Sequence, residues 1–122
     1  MGARECAIVG GIVLVLLGLL GFVNNPIIGV FAVNTAHNLL HIVLGLVLLA
    51  GAFTGLGSSM ALKIVGVIYA IVAVLAFIAI SGDGMLLGIF AINMADKWLL
   101  VVVAVLALIG GFALRDDKPM MM

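Results

Sequence analysis

Apolar residues fall into four long runs along this chain, and polar residues cluster in the gaps between them. The first run extends from Cys6 to Val23, the second from about Thr35 to Phe53, the third from about Met60 to Ile80 and the fourth from about Ala95 to Leu114. Each is close to the roughly 20 helical residues needed to cross a bilayer. The runs are apolar on all sides. Barrel strands would instead show about 10-residue segments of alternating polarity, so a β-barrel is excluded. The gaps carry turn and stop signals: Asn24-Asn25-Pro26, Thr54–Ser59, Ser81–Gly84 and Arg115–Pro119. The pattern predicts an all-α integral membrane protein with four transmembrane helices in a single domain over residues 1–122. The first run has no small-x-small cleavage site and three more spans follow it, so it reads as a retained helix.

Composition agrees. Of 122 residues, 67% are hydrophobic and 8% charged, against roughly 25% charged in soluble domains. A soluble chain of this size has too little interior for so much apolar surface. Formal net charge is zero, with no basic cluster for phosphate contacts, so no nucleic-acid partner is expected. The one cysteine, Cys6, rules out an intrachain disulfide and reads as a buried thiol. Arg4, Lys63, Arg115 and Lys118 fall on one side of a four-span topology and Lys97 on the other. That imbalance predicts N- and C-termini in the cytoplasm and a multi-pass protein of the inner (cytoplasmic) membrane.

The chain repeats itself. Residues 29–53 align without gaps to residues 88–112, with 10 of 25 positions identical, among them Gly29/Gly88, Phe31/Phe90, Asn34/Asn93 and Phe53/Phe112. Each unit is a helical hairpin, about 6–53 and about 62–112. Two spans per unit make this a parallel repeat, unlike the inverted repeats of many transporters. The short apolar pieces Pro26–Val33 and Met85–Ile92 are too short to span and are expected to be interfacial helical turns or re-entrant segments.

Polar residues gather where the second helix of each unit begins. Asn34, Asn38, His41, Gly45 and Ala52 fall within about 40° of the Asn34 direction on a helix of 3.6 residues per turn, with His37 beside them. Asn93, Lys97, Leu100, Ala104 and Gly111 share the matching face of the fourth helix, with Asp96 alongside. Small residues there, and at Gly66 of the third helix and Gly11, Gly18 and Gly21 of the first, allow close helix packing. Asn34 and Asn93 suit N-capping. Asp96 suits the positive end of a helix, and His37 holds the equivalent place.

His41 lies about 10 Å deeper than the helix start, where an imidazole needs a partner. Asp96 or Lys97 is the expected one, and Tyr69 is expected to satisfy its hydroxyl on nearby backbone. Three roles are open to the histidines. They can form a hydrogen-bonded lock between hairpins. They can bind a cofactor, with haem, a chlorophyll-type pigment or a metal held by His37 and/or His41. They can also serve a proton or ion pathway, the signature of a small channel or transporter. No catalytic constellation accompanies them, so an enzyme is not expected. The leading expectation is a structural or accessory subunit, with lipid and other membrane subunits or copies of itself as partners.

The paired helix starts resemble those of a family of small bacterial four-span membrane proteins of unknown function. In that family the second helix opens N-x-x-H-N-x-x-H with a glycine following, and the fourth opens N-x-A-D-x-W-L-H. Asn34, His37, Asn38, His41 and Gly45 fit the first, and Asn93, Ala95, Asp96, Trp98 and Leu99 the second. Leu100 stands where the pattern has histidine. The resemblance implies the four-helix topology and no particular activity.

Overall fold

The computed structural model describes residues 2–23, 34–80, 84–86 and 90–114. Its elements are α1 (Ala3–Val23), α2 (Thr35–Phe53), α3 (Ser58–Ala79), β1 (Gly84–Leu86), β2 (Phe90–Ile92) and α4 (Met94–Ala113). All four helices are long and apolar enough to cross a membrane; at 1.5 Å per residue each reaches about 30 Å, the thickness of a hydrocarbon core.

Two helices begin earlier than their apolar runs. α1 takes in Ala3–Glu5 because the Glu5 carboxylate accepts the Gly2 backbone N–H (2.8 Å), closing an otherwise open helix start. α3 begins at Ser58, directly after Gly57, whose φ of 90° is a turn that side chains other than glycine's resist.

The helices pair as hairpins, α1 with α2 and α3 with α4. Glycines set the closeness of the first pair. A Cβ added at Gly11 would stand 2.8 Å from the Gly45 carbonyl oxygen, and one at Gly45 would stand 2.7 Å from that of Gly11. In the second pair Gly66 faces Leu108, and Gly111 lies against the backbone of Lys63 and Ser59. Between hairpins, α2 packs on α3 and α1 touches both α3 and α4. α1 and α3 therefore meet across the short diagonal, and α2 and α4 take the far corners. The interior is lined by small and branched side chains, including Ala7, Leu14, Leu48, Val65, Ala73 and Leu100, while leucine, valine and isoleucine cover the outward faces.

The connection into α4 carries strands where a helical turn was one of the two expectations. β1 and β2 form a short antiparallel ladder, with Gly84 opposite Ile92, Met85 opposite Ala91 and Leu86 opposite Phe90. Leu86 and Ile92 are buried beneath it, and β2 packs on both α2 and α4. The ladder pairs backbone groups that a non-helical segment at that depth would otherwise leave unmatched. The corresponding piece, residues 26–33, lies outside the described residues, as do the stop signals at 24–26, 81–83 and 115–119.

The two ends of the bundle differ in polar content. Where α1 and α3 begin, the Arg4 Nε donates to the Ala52 carbonyl (3.2 Å) and its guanidinium sits over the Phe53 ring (5.2 Å). Lys63 sits over Phe112 in the same way (4.9 Å). Both cations keep their stems along apolar surface with the charge on an aromatic face. The opposite end carries the polar cluster.

Candidate functional site

The cluster is built on the first two turns of α2 and α4. Asn34 is extended and its side chain accepts the His37 backbone N–H (3.0 Å). Asn93 does the same for Asp96 (2.9 Å), and the Asp96 carboxylate returns the favour to the Asn93 N–H (3.0 Å), completing a capping box. Each cap satisfies amides that a helix start leaves open and fixes the phase at which the next residues enter the bundle. As a result His37, Asn38, His41, Asp96 and Lys97 are all buried, each at most 2% exposed. Side chains of this kind are almost never so enclosed unless paired.

His41 is paired with Tyr69, not with Asp96 or Lys97. Its Nδ1 and the Tyr69 hydroxyl share a hydrogen bond of 2.8 Å, whose direction follows the imidazole tautomer. The two rings lie 5.9 Å apart and nearly parallel (26°). The reason is the helix arrangement: α3 is the neighbour of α2, whereas α4 stands across the bundle. Tyr69 therefore satisfies its hydroxyl on another helix's side chain, not on nearby backbone. His37 stacks on His41 one turn away, with centroids 4.6 Å apart and a tilt of 37°.

Asp96 caps its own helix, and Lys97 reaches the end of α3. The Lys97 Nζ donates to the Ile80 carbonyl at the end of α3, where the helix dipole is negative, and lies 5.7 Å from the centre of the Phe77 ring. Phe77 in turn meets Trp98 edge-on (5.3 Å), and Trp98 faces outward, as suits an indole at a membrane interface.

Asn38 occupies a notch in α1. A Cβ at Gly21 would fall 1.8 Å from its Oδ1, and one at Gly18 would fall 2.6 Å from its backbone carbonyl oxygen. Gly18 and Gly21 thus admit a polar side chain that any larger residue would displace. Among the packing residues, Gly45, Gly66, Ala104 and Gly111 are all buried.

Chemically, His37, His41 and Tyr69 form a connected polar array inside apolar surroundings. It can lock two helices together. With Nδ1 of His41 held by Tyr69, Nε2 is the ring nitrogen left to face a ligand. Among the described residues no group of three or more His, Cys, Asp or Glu side chains is arranged to hold a metal ion.

Sequence reasoning missed Tyr69 as the partner of His41. The available signal was that Tyr69 is the one hydroxyl in the middle of a span, at a depth an imidazole on α2 can reach.

Four apolar helices, two hairpins and buried polar helix starts define a small polytopic membrane protein. Residues 4–113 match the family described as Domain of unknown function (DUF4383), and the chain belongs to that family. No curated protein and no solved structure matches it.

Proposed function

We propose that this chain is a non-enzymatic structural or accessory subunit of the inner (cytoplasmic) membrane, packing in a larger membrane complex or with copies of itself. One observation carries the proposal: the polar side chains of the described residues serve the bundle itself. Asn34, Asn93 and Asp96 cap helices, Lys97 closes the end of α3, and His41 and Tyr69 join the hairpins. The outward faces are apolar along their whole length, which suits lipid or another membrane subunit. Extraction in a mild detergent, followed by sizing and identification of co-purifying proteins, tests this. The expected result is an oligomer or a complex. A monomer without partners overturns it.

In this reading both termini lie in the cytoplasm. Arg4 and Lys63 support this, and burial of Lys97 against Ile80 removes the one opposing charge from the loop tally. Fusions of a cytoplasm-active and a periplasm-active reporter to each end test the assignment, and periplasmic activity at either end refutes it.

A second reading, cofactor binding, is favoured by the stacked His37–His41 pair with Tyr69 on Nδ1 of His41. A hydrogen bond at the far nitrogen is the usual support for a ligating imidazole. Visible absorption for haem or a chlorophyll-type pigment, or stoichiometric metal by elemental analysis, lost in His41→Ala, supports it. A featureless spectrum and no metal removes it.

A further inference from the structure

The two seams between the hairpins are closed to different degrees. On the α2–α3 side the His41–Tyr69 bond joins the helices, and Gly51 stands so close to Ala61 that an added Cβ would be 2.3 Å away from the alanine's. On the α1–α4 side the helices touch near Gly110, where an added Cβ would meet the Cys6 Sγ at 2.9 Å. Beyond that contact lies a groove of about 230 Å³. Cys6, Val9 and Val13 of α1 and Leu106 and Ala107 of α4 line it, with Leu48 of α2 behind. Val9, Val13 and Leu106 are about half exposed, whereas Leu48 is buried. The groove is therefore open sideways, toward lipid.

We propose that this groove is a binding site for one acyl chain of a membrane lipid, in the leaflet where α1 and α3 begin. Three observations select that occupant. No charged side chain lines the groove, and its surface is almost wholly apolar, so a headgroup has nothing to bind there. Its length, from Cys6 to Leu14, is about 12 Å, close to half of a hydrocarbon core about 30 Å thick, so it is matched to one leaflet. Its volume of about 230 Å³ exceeds the roughly 150 Å³ of an apolar cavity that binds a small hydrocarbon. Smaller apolar cavities already take up hydrocarbon and stay dry. A seated chain would complete the packing of the one seam that side chains leave open.

The test uses the full chain in vesicles of phosphatidylethanolamine and phosphatidylglycerol, with a trace of phospholipid carrying a diazirine midway along one acyl chain. After photolysis, labelling at Val9 and Val13 is expected to exceed that at the equally exposed Val43 and Leu46 of α2 at least threefold. Ala107→Phe should fill the groove and bring the labelling down to the α2 level. Val9→Phe, at an exposed position that the fold tolerates, should do the same should Ala107→Phe not fold. Labelling in proportion to exposure alone overturns the proposal. So does a dimer cross-linked through Cys6 and shielded from label, which would assign the groove to a second copy.

Discussion

His37 of α2 corresponds to Asp96 of α4, Asn38 to Lys97, His41 to Leu100 and Gly45 to Ala104. The first hairpin closes at mid-membrane, where Gly11 and Gly45 bring two backbones together. The second has an alanine at the matching place and closes toward the other end, through Gly111 against Lys63 and Ser59. Their polar residues diverge as well. In the second hairpin Lys97 holds the Ile80 carbonyl and Asp96 caps at Asn93. The first sends His41 outward to Tyr69 of its neighbour. A duplicated hairpin can thus keep its helix starts and its topology while one position, His41 in one copy and Leu100 in the other, decides which second helix bonds to the neighbouring hairpin.

The sharpest way to break this comparison is at the glycine contact. Gly45→Ala should destabilise the protein by about 3 kcal/mol, because the new methyl meets backbone that has no rotamer to yield. Ala104→Gly should cost only about 1 kcal/mol, as expected for glycine in a helix. Unfolding in mixed detergent–dodecyl sulfate micelles measures both, and equal losses would erase the distinction.

Next in size is Lys97→Met. It keeps the stem but leaves the Ile80 carbonyl without its charged donor, at a cost of about 2 kcal/mol in the same assay. A neutral outcome would mean that the second hairpin does not depend on its internal charge.

Tyr69→Phe and His41→Leu, the latter giving α2 the residue that α4 has, should each cost about 1 kcal/mol, the scale of side-chain hydrogen bonds between membrane helices. Combined, they should cost clearly less than the sum, since both remove one bond. Strict additivity would show that the two side chains act independently. The smallest difference lies in the caps. Asn34→Ala and Asn93→Ala should each cost about 1 kcal/mol, with Asn93→Ala the larger by a few tenths because its capping box uses two bonds. Faster amide exchange at the start of the affected helix reports the loss.

The four spans and their pairing were legible because bilayer thickness dictates run length and short connections dictate neighbours. The Asn34 and Asn93 caps were legible for a local reason: a cap and its amide lie three residues apart. The His41–Tyr69 bond was not. It depends on how α2 and α3 are rotated against each other, and α3, whose mid-span carries no polar side chain but Tyr69, does not encode its own phase. The ladder at 84–86 and 90–92 was hidden too. Its strands are three residues each, too short for alternation to register.

The close Gly11–Gly45 approach bears on how the protein is made. The first hairpin contains all it needs to assemble once α2 has been synthesised. Tyr69 follows His41 by 28 residues, which at about 5–20 residues per second is a delay of roughly a few seconds. During that interval the nascent hairpin holds an imidazole in the bilayer without its final partner.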